Sequence, residues 1–168
     1  MRPLFLAVLI VAAAAPSVAQ GLGSVPPRYG VGFDAAVPLP GQDLVPSGPS
    51  IGIRGRVALP VNADVSVAAS LGMAAHLFGG QDETRYVLNP QASVIVTLPG
   101  EGTARYVLGG FGAFLPFSDG GGGPALHVGA GWAIPLNETS LYVEANPSLV
   151  VGDSETTAVL AVRAGVIF

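Results

Sequence analysis

The chain has 168 residues, half of them hydrophobic, with 24 glycines, 15 prolines and no cysteine. Seven arginines, no lysine and eleven acidic residues give a net charge of −4, which argues against nucleic-acid binding because no basic surface can follow a phosphate backbone. The missing cysteine excludes disulfides, thiolate metal sites and lipid attachment through a cysteine, and the glycine and proline content argues against long helices.

Residues 1–19 carry one positive charge at Arg2, an apolar stretch over 4–15, and small residues at Ser17 and Ala19. This predicts a secretory signal cleaved between Ala19 and Gln20, leaving 20–168 as one domain. The apolar stretch is shorter than the ~20 residues a spanning helix needs. Elsewhere no apolar run approaches that length, although the mean hydropathy is +0.58. The hydrophobicity is therefore dispersed through short segments, as in a closed barrel rather than a helical membrane protein.

Eight strand-like segments, bounded by Gly, Pro, Asn and Asp, follow in order: 28–38, 50–60, 64–76, 85–98, 103–115, 124–135, 139–150 and 156–168. Most exceed a typical globular strand and match the ~9–11 tilted residues that cross a bilayer. Short links at 61–63, 99–102 and 136–138 alternate with longer ones at 39–49, 77–84, 116–123 and 151–155. That alternation predicts an eight-stranded antiparallel up-and-down transmembrane β-barrel, an all-β fold with short turns at one end and long loops at the other. Three similar stretches, Val57-Ala58-Leu59-Pro60, Val96-Thr97-Leu98-Pro99 and Trp132-Ala133-Ile134-Pro135, each close a strand before a polar turn. Pro90 and Pro147 fall inside strands, where ladder pairing is expected to lapse or a bulge to form.

Side chains alternate across a strand, so each segment has two faces. One face carries Val31, Phe33, Ile51, Ile53, Val67, Leu71, Val94 and Val96; it is assigned to lipid. The other carries Asp34, Arg54, Arg56, Ser70, Asn89, Gln91, Arg105, His127, Glu144 and Arg163. An arginine facing lipid at the midplane costs about 2–4 kcal/mol, whereas one in a shared lumen can pair with an acid. The first strand neighbours the second and the eighth if the barrel closes, and the seventh neighbours the eighth. A lumenal ion-pair network of Asp34, Arg54, Arg56, Arg105, Glu144 and Arg163 is therefore expected, and it should plug the lumen, since an eight-stranded interior is just filled by side chains. Glycines such as Gly129, Gly131 and Gly165 are read as making room for bulky lumenal groups.

Aromatic residues are expected as girdles at headgroup depth: Tyr29, Tyr106, Trp132 and Phe168 at the turn end, Tyr86 and Phe114 at the loop end. The last segment alternates Leu160, Val162, Ala164, Val166 and Phe168 on one face with Arg163 on the other. Signal, eight alternating segments, loop asymmetry and this last strand together resemble the small outer-membrane β-barrels, the family of the outer membrane protein A transmembrane domain and the opacity-type porin-like surface proteins. The resemblance implies a non-enzymatic integral outer-membrane protein with a structural or surface-interaction role. It also implies contact with outer-membrane lipid and lipopolysaccharide, and recognition of the C-terminal strand by the barrel-assembly machinery; a monomer is expected.

No catalytic residue, cofactor or metal is expected. Outer-membrane lipid A deacylases place a serine two positions after their histidine, where this chain has Gly129 after His127. Gly120 to Gly123 lack the Lys-Ser/Thr of a phosphate cradle, and the acidic residues Asp43, Asp82, Glu83, Asp119, Asp153 and Glu155 show no ligand spacing. Alternation alone does not say which face looks outward. A soluble secreted or periplasmic barrel binding a small apolar ligand therefore stands as the alternative.

Overall fold

A computed structural model describes residues 26–39, 48–77, 84–100, 102–117, 122–152 and 156–168. Eight strands form a closed antiparallel barrel in sequence order: β1 (Arg28–Pro38), β2 (Ser50–Pro60), β3 (Val65–His76), β4 (Arg85–Leu98), β5 (Ala104–Pro116), β6 (Gly123–Leu136), β7 (Thr139–Val151) and β8 (Thr156–Ile167). Each strand pairs with its chain neighbour, and β1 pairs with β8, so no strand edge is left among them. Every segment expected from the sequence forms a strand, with ends displaced by one residue at most.

Turn chemistry explains why the hairpins close where they do. Between β2 and β3, Asn62 Oδ1 accepts from the backbone N–H groups of Asp64 and Val65 at 2.9 and 2.8 Å, a side chain standing in for a turn carbonyl. Gly102 (φ 79°) and Asn137 (φ 46°) occupy the left-handed region in the β4–β5 and β6–β7 turns. At the same end, Tyr29 and Phe168 exchange backbone hydrogen bonds of 2.9 and 2.8 Å, and their rings stack with centroids 6.5 Å apart. This closes the β1–β8 seam.

The two interior prolines interrupt pairing without shifting it. Pairing between β4 and β5 skips Asn89 and Pro90, and that between β6 and β7 skips Asn146 and Pro147; in both the register resumes unchanged. These are gaps rather than bulges, because proline removes a donor but inserts no residue. At the first gap the Asn89 side chain donates to the Ala113 carbonyl at 2.7 Å, replacing the N–H that Pro90 lacks opposite it.

Alternation divides the strands cleanly. Phe33 (73% exposed), Ile51, Ile53, Leu71, Phe111, Leu126, Val128, Leu149 and Val162 point away from the barrel axis, while Arg54, Arg56, Asn89, Gln91, His127, Glu144, Asn146 and Arg163 are buried inside. The hydrophobic surface is thus outside and the polar surface within, the reverse of a water-soluble sheet protein.

Candidate functional site

Glu144, on β7, is the centre of the interior and is fully buried. Its carboxylate accepts from Arg56 Nη2 at 2.9 and 3.1 Å, Arg163 Nη1 at 2.9 Å, the Tyr106 hydroxyl at 3.1 Å and Asn146 Nδ2 at 3.2 Å. Asp34 forms a second anionic node: Arg54 Nε donates to Oδ2 at 2.8 Å, and Arg163 Nε stands 3.6 Å from Oδ1. Arg163 therefore bridges both acids. Arg54 is further held by Ser70 Oγ at 3.0 Å, Gln91 Oε1 at 3.3 Å and Asn89 Oδ1 at 2.6 Å, so its charge is spread over neutral acceptors as well as Asp34. Arg56 also lies over the Tyr142 ring, 5.4 Å from its centroid.

Local sequence explains how side chains from non-adjacent strands meet. Arg54 is paired with Gly72 on β3, and Gly72 is paired with Asn89 on β4, so the guanidinium crosses the strand between at the one residue without a side chain. Tyr106 and Glu144 reach one another across Gly131 in the same way, and Ser93 Oγ meets His127 Nε2 at 2.9 Å across Gly110. A Cβ on Gly72 would lie 2.5 Å from Arg54 Nη2, and one on Gly131 would lie 2.6 Å from the Tyr106 phenol. These three contacts each cross a glycine in the intervening strand.

Toward the loop end the interior changes character. Ala125, Val150 and Val159 form a buried apolar cluster, with Ala36 and Phe114 packed against it. Ser50, His76, Ser148 and Thr157 are buried at the same end, so the ionic middle lies beneath a layer of mixed apolar and polar side chains.

Five of the six residues expected in the ionic network meet there: Asp34, Arg54, Arg56, Glu144 and Arg163. Arg105 does not. The phase of β5 is one residue off the expected one, so Arg105 is exposed on the outer face at the turn end and Tyr106 is buried inside. Outward at a strand end, an arginine costs only about 0–1 kcal/mol, while Tyr106 supplies a donor that Glu144 accepts. Tyr106 is therefore a lumenal residue and not part of a girdle. Phe114 shares its phase and packs against the Ala125, Val150 and Val159 cluster. Tyr29, Tyr86, Trp132 and Phe168 are each about half exposed on the outer face. Leu160, Val162, Ala164 and Val166 line the outer face of β8, with Arg163 turned inward. Residues 1–19 and the acidic loop residues Asp43, Asp82, Glu83, Asp119, Asp153 and Glu155 lie outside the described residues.

The Ser93–His127 pair escaped the sequence reading because 34 residues separate the two. It is not a triad: His127 Nδ1 is buried with no hydrogen-bond partner among the described residues, so no acid orients the imidazole. No group of three or more His, Cys, Asp or Glu side chains that could hold a metal occurs among the described residues.

No family model and no curated protein matches the chain in sequence. Solved structures do match in shape. Neisserial surface protein A (NspA) aligns over 83% of this chain and 95% of its own, with a TM-score of 0.66 and 14% identity. The N-terminal β-barrel domain of Pseudomonas aeruginosa OprF aligns over 84% and 97% with a TM-score of 0.52 and 16% identity. Ail, the attachment invasion locus protein of Yersinia pestis, aligns over 84% and 97% with a TM-score of 0.53 and 17% identity. The chain has the fold of the small outer-membrane β-barrels. Among these barrels, Ail has also been solved with the heparin analogue sucrose octasulfate and in a phospholipid bilayer nanodisc. At such low identity the likeness is one of fold.

Proposed function

We propose that the protein is a non-enzymatic integral barrel of the bacterial outer membrane, exported by the signal at 1–19, with a structural or surface-interaction role and a lumen closed by the Arg54–Asp34–Arg163–Glu144–Arg56 network. The observation that carries this reading is the apolar outer face: from Phe33 through Ile53, Leu71, Val94, Phe111, Val128, Val143 and Val162, every strand contributes exposed hydrophobic side chains. A surface of that extent is incompatible with water unless covered, and a closed barrel satisfies its backbone hydrogen bonds internally, as lipid requires. The charged interior weighs against the alternative of a soluble barrel for an apolar ligand, which would need the opposite arrangement of faces. The likeness to NspA, OprF and Ail supports a role in the envelope and in surface contacts. Contact with lipopolysaccharide and recognition of β8 by the assembly machinery belong to the same proposal.

The test is cell fractionation combined with gel mobility of unboiled and boiled samples. An outer-membrane band that shifts on heating is expected. A soluble periplasmic protein without a shift would overturn the reading in favour of a ligand-binding barrel.

A further inference from the structure

Arg105 is the only charged side chain on the outward face among the described strand residues. It sits on β5 directly after the β4–β5 turn, with Leu98 paired on one side and the half-exposed Trp132 on the other. Directly paired antiparallel residues hold their Cβ atoms about 4.5–5.5 Å apart. The guanidinium leans back over the turn: a Cβ placed on Gly100 would lie 3.6 Å from Nη2 and 4.0 Å from Nε. No ion pair or hydrogen bond ties Arg105 to another described residue. A cation at the rim of an apolar wall, beside an amphipathic indole and aimed toward the turn, has the chemistry that receives a lipid phosphate.

We infer that Arg105 and Trp132 form a headgroup site for an anionic glycerophospholipid of the turn-side leaflet. Arg105 donates to the phosphate, Trp132 and Leu98 lie along the glycerol and upper acyl chain, and the contact fixes the depth of the barrel at that end. The inference rests on the membrane reading above. It predicts local enrichment of anionic over zwitterionic phospholipid by about five-fold, the Boltzmann weight of one near-surface cationic contact.

Trp132 is the only tryptophan of the chain and therefore reports this spot alone. The protein is reconstituted into phosphatidylcholine vesicles, free of lipopolysaccharide, that contain either brominated phosphatidylglycerol or brominated phosphatidylcholine at equal mole fraction. Trp132 should be quenched more by the brominated anionic lipid, and the preference should fall at 1 M salt, where the screening length drops to about 3 Å. Arg105→Gln should abolish the preference while retaining the heat shift of the folded barrel, and Arg105→Lys should retain part of it. Equal quenching by the two lipids, or an unchanged preference in Arg105→Gln, would overturn the site and leave the membrane reading standing. No quenching by either lipid would overturn the membrane reading itself. Because the vesicles hold no lipopolysaccharide, a preference shows that an anionic phospholipid alone suffices to occupy the site.

Discussion

Replacing Glu144 with glutamine removes one negative charge from a fully buried centre and keeps its shape. In the native barrel, two carboxylates, Asp34 and Glu144, face three guanidiniums, Arg54, Arg56 and Arg163. Glu144→Gln leaves three cations on one anion. It also turns an –NH2 group toward Arg56, Arg163, Tyr106 or Asn146, all of which donate to the native oxygens. Breaking a buried pair by removing one partner costs about 3–5 kcal/mol, because the remaining charge stays desolvated. Arg56 and Arg163 each lose their closest anion, although Arg163 retains Asp34 at 3.6 Å, which places the expected loss within that range. Urea unfolding in lipid vesicles, followed by Trp132 fluorescence, measures it. A double-mutant cycle with Arg163→Met isolates the pair: removing the cation should restore part of what Glu144→Gln loses, with a coupling of about 0.5–3 kcal/mol. A Glu144→Gln variant within about 0.5 kcal/mol of the native protein, the range of ordinary surface substitutions, would refute the view that the network is a desolvated, mutually dependent unit. Strict additivity with Arg163→Met would refute it as well.

Gly131→Ala places a Cβ 2.6 Å from both the Tyr106 phenol and the Val143 carbonyl, so it should destabilise by about 1–3 kcal/mol through overpacking. Gly109→Ala, outward and with nothing nearer than 3.7 Å, should not; a lower unfolding midpoint only for the first checks this. Tyr106→Phe keeps the ring and removes the 3.1 Å bond to Glu144, for an expected loss of about 1.5–3 kcal/mol, the range for bonds to charged groups. An unchanged midpoint would mean that the phenol is not a working donor. Phe33→Arg puts a cation on the outer face at mid-strand and should cost about 2–4 kcal/mol in folding into vesicles, whereas in a soluble barrel it would improve solubility. Folding yields in lipid and in buffer separate the two.

Much of this protein was legible in its sequence because a barrel strand writes its environment in a period of two. Asp34, Arg54 and Arg56 each stand between apolar or small neighbours, as do Glu144 and Arg163, so the charged phase of β1, β2, β7 and β8 had one reading. Strand β5 was different. Its odd positions hold Arg105, Val107 and Phe111, its even positions Tyr106, Leu108 and Phe114, and both phases contain bulky apolar groups. Charge pointed Arg105 inward, and a one-residue change of phase reverses every side chain on the strand. What decided the phase was on other strands: Gly131 leaves space for a phenol, and Glu144 accepts the hydrogen bond its hydroxyl donates.

The sequence by itself determined the eight strands, the three short turns and the two unlike faces of most strands, because these depend on local alternation and on residues such as Asn62, Gly102 and Asn137. Only the tertiary structure decided which polar side chains touch. Closure of β1 on β8 brings Asp34 opposite Arg163, and the registers of β3, β5 and β6 set Gly72, Gly110 and Gly131 between partners two strands apart. Those contacts join residues as distant as Arg56 and Glu144, 88 positions apart, and no local pattern carries that distance.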